Sequence, residues 1–151
     1  MSTDYTVVIA SRVQFGDEES IEAGAPLVGP ALEFRFLTPN ADLRVPAVLM
    51  FQSRGVHHPH NILKVNNVDV PGGIPVNPND AEWNGNIMLI PVNILNSTPG
   101  SVNTMRIESR DQNGESAGNL DDFIIDNAVV LFKIRPLPNQ GHDDRVSTLA
   151  Y

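Results

Sequence analysis

Three of the four histidines in the chain lie within a few residues of one another, and imidazole is a common ligand of zinc and copper. They are His57, His58 and His60, with Pro59 before the last of them. His57 and His60 could converge on such a metal from a loop. No third ligand lies at a recognisable spacing, however, and Pro59 should splay the side chains. The spacing therefore favours a solvated loop with one imidazole hydrogen-bonded to the backbone.

Two acidic segments, far apart in the chain, carry oxygen ligands of the kind that calcium prefers. Their carboxylates are Glu18, Glu19 and Glu22 in the first segment and Asp121, Asp122 and Asp126 in the second. Calcium takes six to eight oxygens from carboxylates and loop carbonyls, so a fold that joins the segments could bind it. The alternative is that these acidic turns face water and hydrogen-bond their own backbone.

The lone tryptophan, Trp83, lies among amide side chains in a segment with the chemistry of a sugar site. An aromatic ring can stack on the apolar face of a pyranose, while amides and carboxylates bind its hydroxyls. Asn84, Asn86, Asn79 and Asp80 could supply those polar partners. Because tryptophan is usually highly buried, a place in the core or at one end of the fold is the favoured alternative for Trp83.

The sequence carries no recognisable catalytic motif. No serine lies between glycines at the spacing of a nucleophile elbow, and no glycine-rich phosphate loop precedes a helix. Glycoside hydrolysis depends on the distance between two carboxylates, which a sequence does not reveal. Because catalysis needs convergent groups and none can be assembled, we expect a non-catalytic protein.

Composition narrows the class of protein and its partners. The 151 residues are enough for one domain with a real core, and 41% are hydrophobic. A formal net charge of −8 argues against nucleic acid and anionic membrane surfaces, whose phosphates need a basic face. No apolar run approaches the roughly 20 residues of a membrane helix, so we expect no membrane insertion.

Cysteine is absent, which excludes disulfides and thiolate metal sites. Residues 1–5 lack a positive segment followed by an apolar one, so no signal peptide is predicted. We expect synthesis in the cytoplasm, with release as part of an assembly as an open alternative.

Hydrophobic alternation with a period of two, broken by the 12 prolines and 11 glycines, predicts short strands and no long helix. The expected strands span residues 5–15, 27–28, 31–37, 45–53, 61–65, 68–70, 87–92, 104–110 and 121–136. This pattern predicts an all-β fold, an antiparallel β-sandwich, as a single domain over residues 1–136. Residues 137–151 are expected to form a C-terminal arm, either flexible or docking on a neighbour.

The stretch 121–136 is the longest apolar segment and should be the closing, central strand. Ala128, Val130 and Phe132 fall on one face, and Val129 and Leu131 on the other. A strand that is apolar on both faces must be covered on both, by a second sheet and by a loop or partner.

Three segments together resemble the galactose-binding-domain-like jelly roll of carbohydrate-binding modules and discoidin-type domains. They are residues 60–68, residues 103–107 after the Trp83 strand, and residues 121–127. Asn67 stands where that family usually has glycine. The resemblance implies a jelly roll with a structural Ca2+ between the early loop and the closing strand. By the same resemblance, Glu18 or Glu19 and Asp122 would supply its ligands.

Two functions follow as hypotheses. The first is a non-catalytic, lectin-like domain that recognises carbohydrate with Trp83, Asn84, Asn86, Asn79 and Asp80. The second is a structural subunit of a capsid, tail or filament, a homo-oligomer whose C-terminal arm contacts neighbouring subunits.

Overall fold

A computed structural model describes residues 2–18, 22 and 24–136 of the chain. These residues form ten strands and no helix. The strands are β1 (Thr3–Ile9), β2 (Val13–Phe15), β3 (Leu27–Gly29), β4 (Ala31–Leu37), β5 (Ala47–Arg54), β6 (Ile62–Val65), β7 (Val68–Asp69), β8 (Asn84–Ile90), β9 (Val102–Glu108) and β10 (Phe123–Lys133). In this described part, no helix is long and apolar enough to cross a membrane.

The strands form two sheets, which confirms the predicted all-β sandwich. The six-stranded sheet has the order β3-β2-β10-β5-β8, with β1 also paired to β10, and the four-stranded sheet has the order β4-β9-β6-β7. The β2–β3 pair is parallel, and the other strand pairs of the described residues are antiparallel. The jelly-roll topology implied by the resemblance stays a prediction.

The closing strand β10 lies at the centre of the larger sheet, as its sequence predicts. It pairs with β1 and β2 along one side and with β5 along the other. Ala128, Val130 and Phe132 are buried. The predicted C-terminal arm, residues 137–151, lies outside the described residues.

The predicted strand over residues 5–15 is two strands in the structure, β1 and β2. A register shift between Val7 and Ile9 reverses the alternation of side chains before the chain leaves β10. Ile9 is therefore buried, whereas Tyr5 and Val7 are 65% and 50% exposed. The alternation in the sequence predicts that all three share one face, and this prediction is wrong because one bulge moves the side chains on its two sides to opposite faces.

A second bulge, at Asn127, lets β10 change faces in its middle. Asn127 has a φ of 51°, and the register with β5 shifts between Asp126 and Val129. Before the bulge Phe123, Ile124 and Ile125 are all buried, and of these Phe123 and Ile125 belong to the core; after the bulge the buried residues are the even-numbered ones. Asparagine suits this position because its short polar side chain tolerates the left-handed conformation.

The core is continuous between the sheets and includes the end of the sandwich where β10 begins. Phe15 stacks on Phe123 with ring centroids 5.4 Å apart, and it meets Phe34 of the other sheet edge-on at 6.3 Å. These aromatic contacts hold the start of β10 against both sheets.

Candidate ligand-binding cleft

A cleft of about 420 Å³ lies where β5 ends and β10 begins. These two ends meet because the strands are antiparallel, with Arg54 opposite Ile124. The lining residues are Glu18, Glu22, Arg54, Gly55, His57, His58, Asp80, Asn119, Leu120, Asp121, Asp122 and Ile124. The cleft thus draws on the early loop, the segments that follow β5 and precede β10, and Asp80 from the segment before β8.

One buried carboxylate, Asp121, fixes the segment after β5. Its Oδ2 accepts the backbone N–H groups of His57 at 2.9 Å and His58 at 3.0 Å, and the side-chain amide of Asn61 at 2.7 Å. The hydroxyl of Ser109 donates to the backbone carbonyl of Asp121. A buried carboxylate with several N–H donors is well satisfied, so this wall of the cleft is held firmly.

The imidazole of His57 lies between two carboxylates. Nε2 is 2.7 Å from Oδ2 of Asp80, and Nδ1 is 3.2 Å from Oδ1 of Asp121. The hydrogen bond to Asp80 raises the pKa of His57 above its ordinary value, and Asp121 adds to that effect against the opposing effect of burial. The protonated ring can donate from both nitrogens, which both carboxylates favour.

The segment that carries Asp80 is itself held by a buried amide. Oδ1 of Asn77 accepts the backbone N–H of Val56 at 2.9 Å, and Nδ2 donates to the carbonyl of Ser53 at 3.1 Å. Asn77 therefore joins the long loop before β8 to the end of β5. These hydrogen bonds of Asn77, together with the contact to His57, fix the position of Asp80.

A chain of charges runs from the cleft to the tryptophan. Oε2 of Glu22 lies 3.4 Å from Nη1 of Arg54, and its Oε1 lies 2.6 Å from Nη1 of Arg12. Arg12 also approaches Asp126, with Nε 3.2 Å from Oδ2. Its guanidinium lies 5.0 Å from the centroid of the Trp83 ring, a cation–π distance.

Asp122 fastens the early loop to the start of β10. Its Oδ1 accepts the backbone N–H of Glu18 at 3.1 Å. Gly16 has a φ of 131°, and a Cβ there would lie 1.9 Å from the same oxygen, so only glycine fits. Burial raises the pKa of Asp122 above its ordinary value.

The predicted calcium ligands Glu18 and Asp122 both line the cleft, so the structure brings these two together. Glu19 lies outside the described residues. Within the described part of the chain, no three His, Cys, Asp or Glu side chains are grouped so that they could hold a metal ion. Calcium at Glu18 and Asp122 needs further oxygens from carbonyls or water, and it stays a prediction.

The histidine cluster does not converge in the way that a metal site would require. The rings of His57 and His58 lie 6.4 Å apart, and both nitrogens of His57 face carboxylates. His60 lies beside Gly114, a different neighbour from those of His57. From the sequence we expect one imidazole to form a hydrogen bond with the backbone, whereas the ring of His57 contacts two carboxylate side chains.

Of the predicted sugar-binding residues, Asp80 lines the cleft, and the other four do not. Oδ1 of Asn79 accepts the N–H of Ala81 at 3.0 Å and caps a turn. Trp83 is partly buried, and Asn84 begins β8.

Asn86 faces the interior of the sandwich. It is 7% exposed, and its Nδ2 donates to the hydroxyl of Ser53 at 2.8 Å. The structure therefore does not bring Asn86 to the surface that holds Asp80. Its hydrogen bond joins β8 to β5.

Sequence reasoning missed Arg54 and the role of Asp121 as an anchor. Arg54 precedes Gly55 and is readily interpreted as the last residue of a strand, although its positive charge could have indicated a ligand-binding role. Asp121 and His57 are 64 residues apart, and no local pattern links them.

No protein-family model matches the chain, and no curated protein matches it in a sequence search.

Proposed function

We propose that this protein is a non-catalytic binding domain that takes a carbohydrate in the cleft beside β5 and β10. The observation that carries the proposal is the mixture of fixed donors and acceptors in one concave site. Asp80 and Glu22 offer carboxylate oxygens, and the guanidinium of Arg54 offers N–H groups, while His57 holds Asp80 in place. Neighbouring sugar hydroxyls both donate and accept, so such a mixture suits them.

The polar groups are ordered by contacts within the protein. His57 contacts Asp80 and Asp121, and Arg54 contacts Glu22. A site that is ordered beforehand loses less conformational entropy when a ligand arrives. A volume of about 420 Å³ lies within the usual range of small-ligand clefts and is sufficient for a small saccharide.

Trp83 supports the site from outside the cleft. Its ring packs against Arg12, which holds Glu22, and Glu22 lines the cleft. Loss of the ring should therefore weaken binding by freeing Arg12 and Glu22. This role for Trp83 differs from the direct stacking on a pyranose that the sequence suggests.

A second candidate function is that of a structural subunit in a larger assembly. The observation that favours it is a broad apolar surface on the outer face of the six-stranded sheet, where five exposed residues are Tyr5, Val7, Met50, Ile87 and Leu89. Contiguous exposed apolar patches usually mark interaction sites. The neighbouring subunits of such an assembly would be the partners.

A glycan array followed by titration calorimetry tests the first candidate. Asp80→Asn keeps the shape of the side chain and removes its charge, and we expect at least a tenfold loss of affinity, equal to about 1.4 kcal/mol. Asp69→Asn is the matched control, because Asp69 lies on β7 of the other sheet and its side chain is 81% exposed.

Repeating the titration with a chelator and with added Ca2+ tests the calcium prediction separately. Binding that a chelator abolishes and Ca2+ restores would support ligands at Glu18 and Asp122. Carbohydrate recognition in the cleft would be wrong if no saccharide binds, or if Asp80→Asn and Asp69→Asn bind equally well.

A further inference from the structure

The outer face of the six-stranded sheet carries two apolar rows that cross four strands. The first row is Val7, Val129, Met50 and Ile87, and the second is Tyr5, Leu131, Val48 and Leu89. Each row takes one residue from each of β1, β10, β5 and β8. Directly opposed residues on neighbouring strands lie on the same face, so the eight side chains form one surface.

This surface is exposed to solvent and contains no ionisable group apart from the phenol of Tyr5. Ile87 is 71% exposed and Leu89 is 56% exposed. Most sheets of this kind show polar side chains on the face that points away from the core. We therefore expect a partner to cover this apolar face.

This apolar face also contains a groove next to a projecting side chain. Beside the first row lies a groove of about 440 Å³, lined by Met50, Phe51, Gln52, Gly85, Asn86, Ile87, Asn127 and Val129. Gly85 stands opposite Gln52 and has no side chain, and the bulge at Asn127 widens the gap. A depression thus lies beside the projecting side chain of Ile87.

We propose that this face packs against the same face of a second copy of the chain, about a two-fold axis. A two-fold interface uses one patch twice, so a patch with both a projection and a depression can complement itself. Two sheets pack face to face about 10 Å apart with strands about 30° from parallel.

Charge favours a second copy at this face. A chain with a formal net charge of −8 repels its own copies wherever carboxylates meet. The two rows hold no carboxylate, so this face can approach its copy without that penalty. Asp126 lies one row beyond, opposite Gln52, and would remain at the rim.

The size of the face fits a reversible dimer. From strand spacing and rise, four strands and the two apolar rows cover about 250 Å², or about 500 Å² with the polar row beyond each of them, against about 800 Å² per partner in a standard interface. We therefore expect a dimer that dissociates on dilution. This inference does not depend on what the cleft binds.

Sedimentation velocity of the full chain over a wide range of concentration tests the proposal. The wild-type protein should shift from monomer to dimer as concentration rises. Ile87→Lys places two charges in each dimer interface, and we expect the dissociation constant to rise at least tenfold. Val68→Lys is the matched control on β7 of the other sheet, and it should leave the dimer intact.

Val7→Lys, three strands away from Ile87 in the same row, should also dissociate the dimer. If Ile87→Lys dissociates it and Val7→Lys does not, the copies pair through the edge of β8 and the proposal is wrong. Circular dichroism of each variant establishes that it is folded.

A chain ending at Pro136 completes the experiment. Dimerisation equal to that of the full chain supports packing of the face on itself. If only the full chain dimerises, residues 137–151 are needed and face-to-face pairing is overturned. A wild-type protein that stays monomeric at every concentration also overturns it.

Discussion

Nε2 of His57 lies 2.7 Å from Oδ2 of Asp80, while Nδ1 of the same ring lies 3.2 Å from Oδ1 of Asp121. One imidazole therefore joins the loop before β8 to the start of β10. Because the ring is held by a carboxylate at each nitrogen, its protonated form is favoured in the folded protein. The shape of the cleft and the charge of His57 are thus linked.

Replacing Asp80 with asparagine should lower the pKa of His57. The hydrogen bond to Asp80 is the largest cause of the raised pKa, so its loss should move the titration of His57 towards the ordinary value. Proton NMR of the imidazole follows this titration directly. Asp69→Asn is the control, and an unchanged His57 titration in Asp80→Asn would contradict the assignment.

The pH dependence of stability has a defined sign for this pair. Since the folded pKa of His57 is raised, its contribution to stability is complete below the ordinary pKa of about 6.5. That contribution is lost as pH rises through the folded value. Wild type and Asp80→Asn should therefore differ most in melting temperature on the acid side of this window and converge above it.

Replacing Asp121 with alanine should destabilise the fold. The backbone N–H groups of His57 and His58 and the amide of Asn61 would lose their acceptor. Unpaired buried donors are costly, and we expect the free energy of unfolding to fall by about 2–4 kcal/mol. Urea denaturation measures this, and a loss no larger than that of Asp69→Ala would contradict the anchoring role.

The bulge in β10 predicts different free energies of unfolding for two substitutions at Asn127. Asn127→Val places a β-branched residue at a φ of 51° and should cost roughly 1–2 kcal/mol. Asn127→Gly removes the same hydrogen bond to Gln52 but relieves the backbone, so it should stay near wild type. Equal unfolding free energies for the two variants would show that the bulge is not strained.

Asp42 should contribute to acid sensitivity. Its carboxylate accepts hydrogen bonds from Arg44 at 2.9 Å and 2.8 Å, and this lowers the pKa of Asp42 to about 2. A lowered carboxylate pKa stabilises the fold above the ordinary value of about 3.9, and that stabilisation is lost as pH falls towards the folded pKa. The melting temperatures of wild type and Asp42→Asn should therefore converge between about pH 4 and pH 2. A difference that stays constant over this range would rule out the ion pair as the cause.

Most of the fold could be predicted because side-chain alternation reports local burial. Residues 31–37 form the expected strand, in which Phe34 is partly buried and Phe36 is buried, whereas Glu33 and Arg35 are exposed. Asn66 and Asn67, which separate the expected strands 61–65 and 68–70, both have positive φ, a conformation that asparagine tolerates in a tight turn. Such features depend on neighbours in sequence, and so they can be recognised there.

The bulges and the cleft could not be predicted in the same way. A register shift between Val7 and Ile9 moves the following side chains to the other face of the sheet, and nothing in the local composition indicates it. The contacts of Asp121 depend on a pairing that the folded chain creates over 64 residues. Glu18 and Asp122 lie together in the cleft, but only the resemblance, and no spacing in the sequence, links them; their role as calcium ligands stays a prediction.

The most direct test of the central claim is an amide NMR spectrum of isotope-labelled protein, recorded while a saccharide selected by the array is added. Binding in the cleft predicts that the largest shift changes occur at the backbone amides of His57, His58, Asp80 and Asn119. Shift changes confined to the outer face around Ile87, or an unchanged spectrum at saturating saccharide, would contradict it.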